Sequence, residues 1–69
     1  MRILVQKVIE VVGTSEESFS QAADNAIKMA SQTVRGISLA KVTEMECIVE
    51  EGRPVEYRAL MRIFFEVER

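Results

Sequence analysis

Histidine and tryptophan are absent from this sequence, and cysteine occurs once, at Cys47. Without histidine or a cysteine pair, the usual transition-metal ligand sets cannot be built. A lone cysteine cannot close an internal disulfide. It also lacks a histidine to act as its base, so a cysteine nucleophile of the usual kind is excluded. No apolar run approaches the length of a membrane-spanning helix. Basic residues form no block: nine Lys and Arg are interleaved with eleven Asp and Glu, for a net charge of −2. A nucleic-acid-binding domain concentrates positive charge on one surface, and that class is set aside with the membrane class. The N-terminus reads straight into a strand pattern, which predicts no signal peptide. The expectation is a cytoplasmic protein, with a free thiol that suits a reducing compartment.

The chain is 69 residues long, which predicts a single domain over residues 1–69. Domains this small rarely outweigh their own ordering entropy without a disulfide, a metal or a partner chain. The first two are missing here, so self-association is expected by elimination.

What is present falls into two periodicities. Residues 2–12, RILVQKVIEVV, have strong strand composition. Ile3, Val5, Ile9 and Val11 share one face, interrupted by Lys7. Leu4, Val8 and Val12 share the other with Arg2, Gln6 and Glu10. From residue 15 to about 34 the period changes. Phe19, Ala22, Ala23, Ala26, Ile27, Ala30, Thr33 and Val34 follow the spacing of one helix face. The stripe is mostly alanine, so the helix can lie close to a sheet. Gly36 is placed to stop it.

Residues 39–50 alternate again, with Thr43, Met45, Cys47 and Val49 on one face and Val42, Glu44, Glu46 and Ile48 on the other. EEGRP, residues 50–54, signals a turn. Residues 55–68 form the third strand. Tyr57, Ala59, Met61, Ile63, Phe65 and Val67 make its apolar face, and Arg58, Leu60, Arg62, Phe64, Glu66 and Glu68 its mixed one. The predicted fold is α+β, in the order β-α-β-β. The last two strands form a hairpin, the first pairs with the third, and one helix covers one face. The other face, carrying Leu4, Val8, Val42, Ile48, Leu60 and Phe64, has no covering layer within the chain. Such a face usually meets another protein surface.

The junction GTSEESF, residues 13–19, carries the sharpest question. A glycine with hydroxyls between strand and helix can cradle a phosphate. However, Glu16 and Glu17 would repel an anion there, and GTSEES has neither the lysine nor the spacing of a P-loop. Capping of the helix by Thr14 or Ser15 is the expected role, with Glu17 completing a capping box. Glu44 and Glu46 are paired carboxylates that could hold a hard cation such as calcium or magnesium. The plainer expectation is that they face solvent or pair with Arg58 and Arg62. Cys47, Met29, Met45 and Met61 read as packing residues. No catalytic constellation is present, and the chain is not expected to be an enzyme.

GTSEESF after an Ile/Val strand, then the alanine-striped helix, then VRGISLAKVTEMECIVEEGRPVEYRALMRIFFEVE, resembles the dodecins over essentially the whole chain. The resemblance implies a three-stranded antiparallel sheet wrapped around one amphipathic helix. It also implies twelve copies closed into a hollow shell, a homododecamer. Dodecins are non-enzymatic flavin-binding proteins that store or sequester riboflavin, FMN or related compounds. In the flavin-binding members a tryptophan at the start of the strand after the helix stacks on the flavin ring; Leu39 stands at the matching position. A glutamine on the last strand bonds the flavin's polar edge; Arg58 stands there, and arginine donates but cannot accept. The acidic position on the second strand is kept as Glu44. The resemblance thus implies Leu39, Glu44 and Arg58 as flavin-contacting residues. It also implies an alternative, a shell that binds calcium rather than flavin, because some dodecin-like proteins without tryptophan are linked to calcium. The candidate metal residues are then Glu44 and Glu46.

Overall fold

The alternation at the start of the chain does build a strand, and it runs three residues beyond the expected end. The computed structural model describes residues 4–68. The readings for Arg2 and Ile3, and for the side chains of Leu4 and Glu68, lie outside the described residues. The elements are β1 (Leu4–Ser15), α1 (Phe19–Thr33), β2 (Ile37–Glu50) and β3 (Arg53–Glu68). The sheet order is β1-β3-β2, and both pairings are antiparallel. This is the expected β-α-β-β architecture, with β2 and β3 as the hairpin and β1 against β3.

β1 extends to Ser15 because β3 pairs with it that far: Thr14 lies opposite Arg58 and Ser15 opposite Tyr57. That pairing moves the helix start. Neither Thr14 nor Ser15 caps α1. The N-cap is Ser18, whose hydroxyl accepts from the Gln21 amide at 3.0 Å. Ser15 instead accepts from the Glu17 amide at 2.9 Å, closing a turn just before the helix. Glu16 and Glu17 therefore precede the helix and leave its first turn without an acidic residue. At the other end the stop comes at Val34, an extended residue whose amide bonds the Ala30 carbonyl at 2.9 Å. Gly36 lies beyond that cap. Its φ of 79° turns the chain into β2, and its carbonyl accepts from the Glu66 amide at 3.1 Å. The β2–β3 turn is tight, with Glu51 and Gly52 at φ 52° and 76°. Two left-handed residues in succession match the right-handed twist of the flanking strands.

The alanine stripe packs as the periodicity requires. Ala22, Ala26 and Ala30 are buried against Ala59, Met61 and Ile63 of β3. With so little side chain between them, helix and sheet backbones nearly touch. One such close approach is at Gly13, where an added Cβ would overlap the Ala22 carbonyl oxygen and fall 2.8 Å from the Ala26 Cβ. Asn25 fastens the same place by donating to the Thr14 carbonyl at 2.9 Å. At the helix start the Phe19 ring meets Tyr57 edge-on, with centroids 4.9 Å apart.

β2 departs from simple alternation. The register opposes Val42 to Met61 and then Glu44 to Leu60, so Thr43 is an extra residue on β2. Its hydroxyl donates to the Leu60 carbonyl at 3.0 Å. A bulge shifts the side-chain phase by one. Val42 therefore shares the helix-side face with Met61, and not the face of Glu44 and Glu46 as its even number suggested. Leu39, opposite Phe64, takes a place on the outer face that the alternation did not give it.

The molecule is thin, measuring 58 × 19 × 13 Å. Its radius of gyration is 14.5 Å, against about 11 Å for a compact chain of this length. α1 lies mainly over β1 and β3. The outer face of the sheet has no layer over it among the described residues, and Val8, Val12, Leu39 and Ile48 are all exposed there.

Gly13→Ala is expected to destabilise the protein by about 1–3 kcal/mol through overpacking against backbone. Urea unfolding at matched protein concentration measures this. An unchanged midpoint would mean that helix and sheet can separate freely at Gly13.

Candidate functional site

Cross-strand partners project from the same face of a sheet. Because Ala59, Met61 and Ile63 face the helix, the even-numbered residues of β3 face outward. Their partners arrange the middle of the outer face in four rows. Val8, Phe64 and Leu39 form the first, and Glu10, Arg62 and Lys41 the second. Val12, Leu60 and Glu44 form the third, and Thr14, Arg58 and Glu46 the fourth. Mainly apolar and mainly charged rows thus alternate, with Glu44 a charged member of the third.

Leu39 is 54% exposed and lies beside Phe64 in an apolar row. Arg58 is held by two carboxylates of its own sheet and stays partly exposed. Its Nε donates to Glu46 Oε1 at 2.8 Å, and its Nη1 lies 3.5 Å from Glu56 Oε2. The hydrogen bond to Glu46, against a smaller opposing effect of burial, raises the Arg58 pKa above its ordinary value. Glu44 occupies the neighbouring row, opposite Leu60. Of the two pairings open to Arg58 in the sequence, Glu44 or Glu46, the structure makes the second. Arg62 pairs more loosely, its Nε 3.4 Å from Glu10 Oε2 with both side chains largely exposed.

The rows also fix what one chain can assemble. Alternate residues along a strand are about 7 Å apart. Leu39 and Arg58 are three rows apart on the β3 scale, about 20 Å. Glu44 and Arg58 are in adjacent rows. One chain therefore brings Glu44 and Arg58 together but leaves Leu39 at a distance. A planar ligand touching both Leu39 and Arg58 draws them from different copies. The cation residues meet a similar bound. Among the described residues there is no group of three His, Cys, Asp or Glu side chains able to hold a metal. Glu44 and Glu46 supply two carboxylates, one of them already paired with Arg58. Calcium takes six to eight oxygen ligands, so further oxygens have to come from water or another copy. A shallow cavity of about 250 Å³ opens beside the bulge, lined by Glu10, Val12, Thr43 and Leu60 together with Val11 and Met61.

The sequence reading missed the Lys41–Arg62 row. Arg62 was visible only as a partner for acids, and Lys41 was not singled out. The signal was available in the i, i+2 spacing of Leu39 and Lys41 and of Arg62 and Phe64, once the β2 register is known.

Comparison with known proteins places this arrangement. The dodecin family model matches residues 5–68. The calcium dodecin of Mycobacterium tuberculosis is 35% identical over 63 residues, 91% of this chain and 89% of that protein. The dodecin of Thermus thermophilus is 33% identical over 64 residues, 93% of each. Among solved structures, dodecin from Streptomyces coelicolor superimposes with a TM-score of 0.91 at 33% identity, covering 96% of this chain and 94% of that one. The solved calcium dodecin, described as calcium-chelating, gives a TM-score of 0.81 at 35% identity, with 91% and 90% covered. In sequence, strand order and overall shape alike, this chain belongs to the dodecin family.

Proposed function

We propose that this chain is the subunit of a hollow, cytoplasmic homododecamer that binds and stores a small planar ligand without acting on it. The ligand is a flavin, riboflavin or FMN, held more weakly than in the members that carry the stacking tryptophan. The observation that carries this reading is the uncovered apolar row, where Leu39 stands 54% exposed beside Phe64 and Val8. An aliphatic wall can bury one side of a planar ring by the hydrophobic effect but lacks the polarisable face of an indole. Leu39 supplies that wall, and Glu44 and Arg58 of another copy face the ring's polar edge.

Equilibrium dialysis of the purified protein against riboflavin and FMN, read by absorbance of the retained ligand, tests the reading. Retention at micromolar affinity is expected, and no retention at all would overturn it. Leu39→Trp is expected to tighten flavin binding by about 1–3 kcal/mol, the range for base stacking on an aromatic side chain. An unchanged affinity would remove Leu39 from the ligand contact.

A second reading is favoured by a specific observation. Arg58 is already held by Glu46 and Glu56, which closes the position used for the flavin's polar edge in the flavin-binding members. A calcium dodecin is among the relatives, at 35% identity beside 33% for the Thermus dodecin. In this reading the shell binds calcium through Glu44 and Glu46, with oxygens added by a second copy. Calorimetric titration with calcium should then give a binding heat that Glu44→Gln abolishes. Silence in both proteins would remove the cation reading.

A further inference from the structure

The second row of the outer face places Lys41 directly opposite Arg62. Like charges facing each other across two strands destabilise a sheet, and the chain as a whole is acidic. Glu10 answers only part of this charge. It reaches Arg62 through Nε alone, at 3.4 Å, with the carboxylate side chain 77% exposed. A contact that open contributes little and is readily exchanged. The two terminal guanidinium nitrogens of Arg62 make no hydrogen bond or ion pair among the described residues, and Lys41 makes none either. Glu44 lies one row away, about 7 Å along the strands, and Glu66 two rows away on the other side, about 13 Å. The unanswered positive charge therefore sits between Lys41 and Arg62 and next to the apolar row of Leu39 and Phe64.

We propose that Lys41 and Arg62 form a phosphate-binding pair that makes the site select FMN over riboflavin. This rests on the flavin reading given above. A ring seated on Leu39 has its five-carbon ribityl chain long enough to cross to the next row, where the phosphate meets both cations. Arginine presents paired N–H donors that match phosphate oxygens, and lysine adds a point charge. Arg58 does not compete for this role, because Glu46 and Glu56 hold it two rows further on. Riboflavin has the same ring and chain but no phosphate, so the pair adds nothing to its binding.

Quenching of flavin fluorescence on titration with the assembled protein tests the pair, with FMN and riboflavin as separate probes. The wild-type protein is expected to prefer FMN. Lys41→Gln and Arg62→Gln should each lower FMN affinity by about 10-fold or more and leave riboflavin affinity unchanged, while Lys41→Arg keeps the preference. Equal affinity for both flavins, or a preference untouched by either neutralisation, would overturn the pair and leave the flavin reading intact. Binding of neither flavin would overturn both. Should a glutamine variant fail to assemble, the wild-type protein suffices. Raising the salt concentration should weaken FMN binding and spare riboflavin, and an equal response of the two would contradict the pair.

Discussion

Everything in this fold depends on how closely the helix lies on the sheet. The contact is backbone against backbone, made possible by Gly13 on β1 and by Ala22, Ala26 and Ala30 on α1. Small residues give a tight fit but little buried volume. Among the described residues the buried core amounts to four alanines, Met61 and Ile63. A helix seated this way covers β1 and β3 and leaves β2 largely bare. The result is a thin plate, 13 Å in its shortest dimension, with one face of the sheet unprotected. On the reading proposed here, further copies of the same chain complete this plate, the complement that its composition leaves available.

Much of this was legible in the residues. The shift from alternation to a 3.6-residue period marked the helix, and the alanine stripe marked its buried side. The hairpin and the β1–β3 pairing followed from the order of elements. Errors arose where non-local pairing decided the outcome. Thr14, Ser15 and Ser18 are all chemically able to cap a helix. Ser18 does so because β3 holds Thr14 and Ser15 in the sheet, and no local window contains that fact. The bulge at Thr43 was the other miss. Its trace in the sequence is a change of phase, from Ala40 and Val42 to Met45 and Cys47, which a single alternating pattern over 39–50 smoothed away.

That bulge also shapes the candidate site. Continued without it, the β2 register would bring Met45 opposite Arg58. With it, Glu46 arrives there and forms the 2.8 Å ion pair. One extra residue thus decides whether Arg58 is available to a ligand or occupied by its own sheet. The family resemblance drew attention to positions 39, 44 and 58, and the register spread them along the sheet. Leu39 sits with Phe64 and Val8, and Arg58 with Glu46 and Thr14. Chemistry that needs both ends of that line belongs to an assembly and not to one chain. Family membership follows from the whole chain, whereas the ligand follows from a few side chains on its uncovered face.

The central claim is that this plate completes itself with copies of its own kind. Multi-angle light scattering on the purified protein at micromolar concentration tests it most directly. A single species of roughly twelve times the 7.8 kDa chain mass, as expected for a closed symmetric assembly, is the predicted result. A folded monomer or dimer at that concentration would contradict the account, because the outer face of the sheet would then be stable in water with nothing against it.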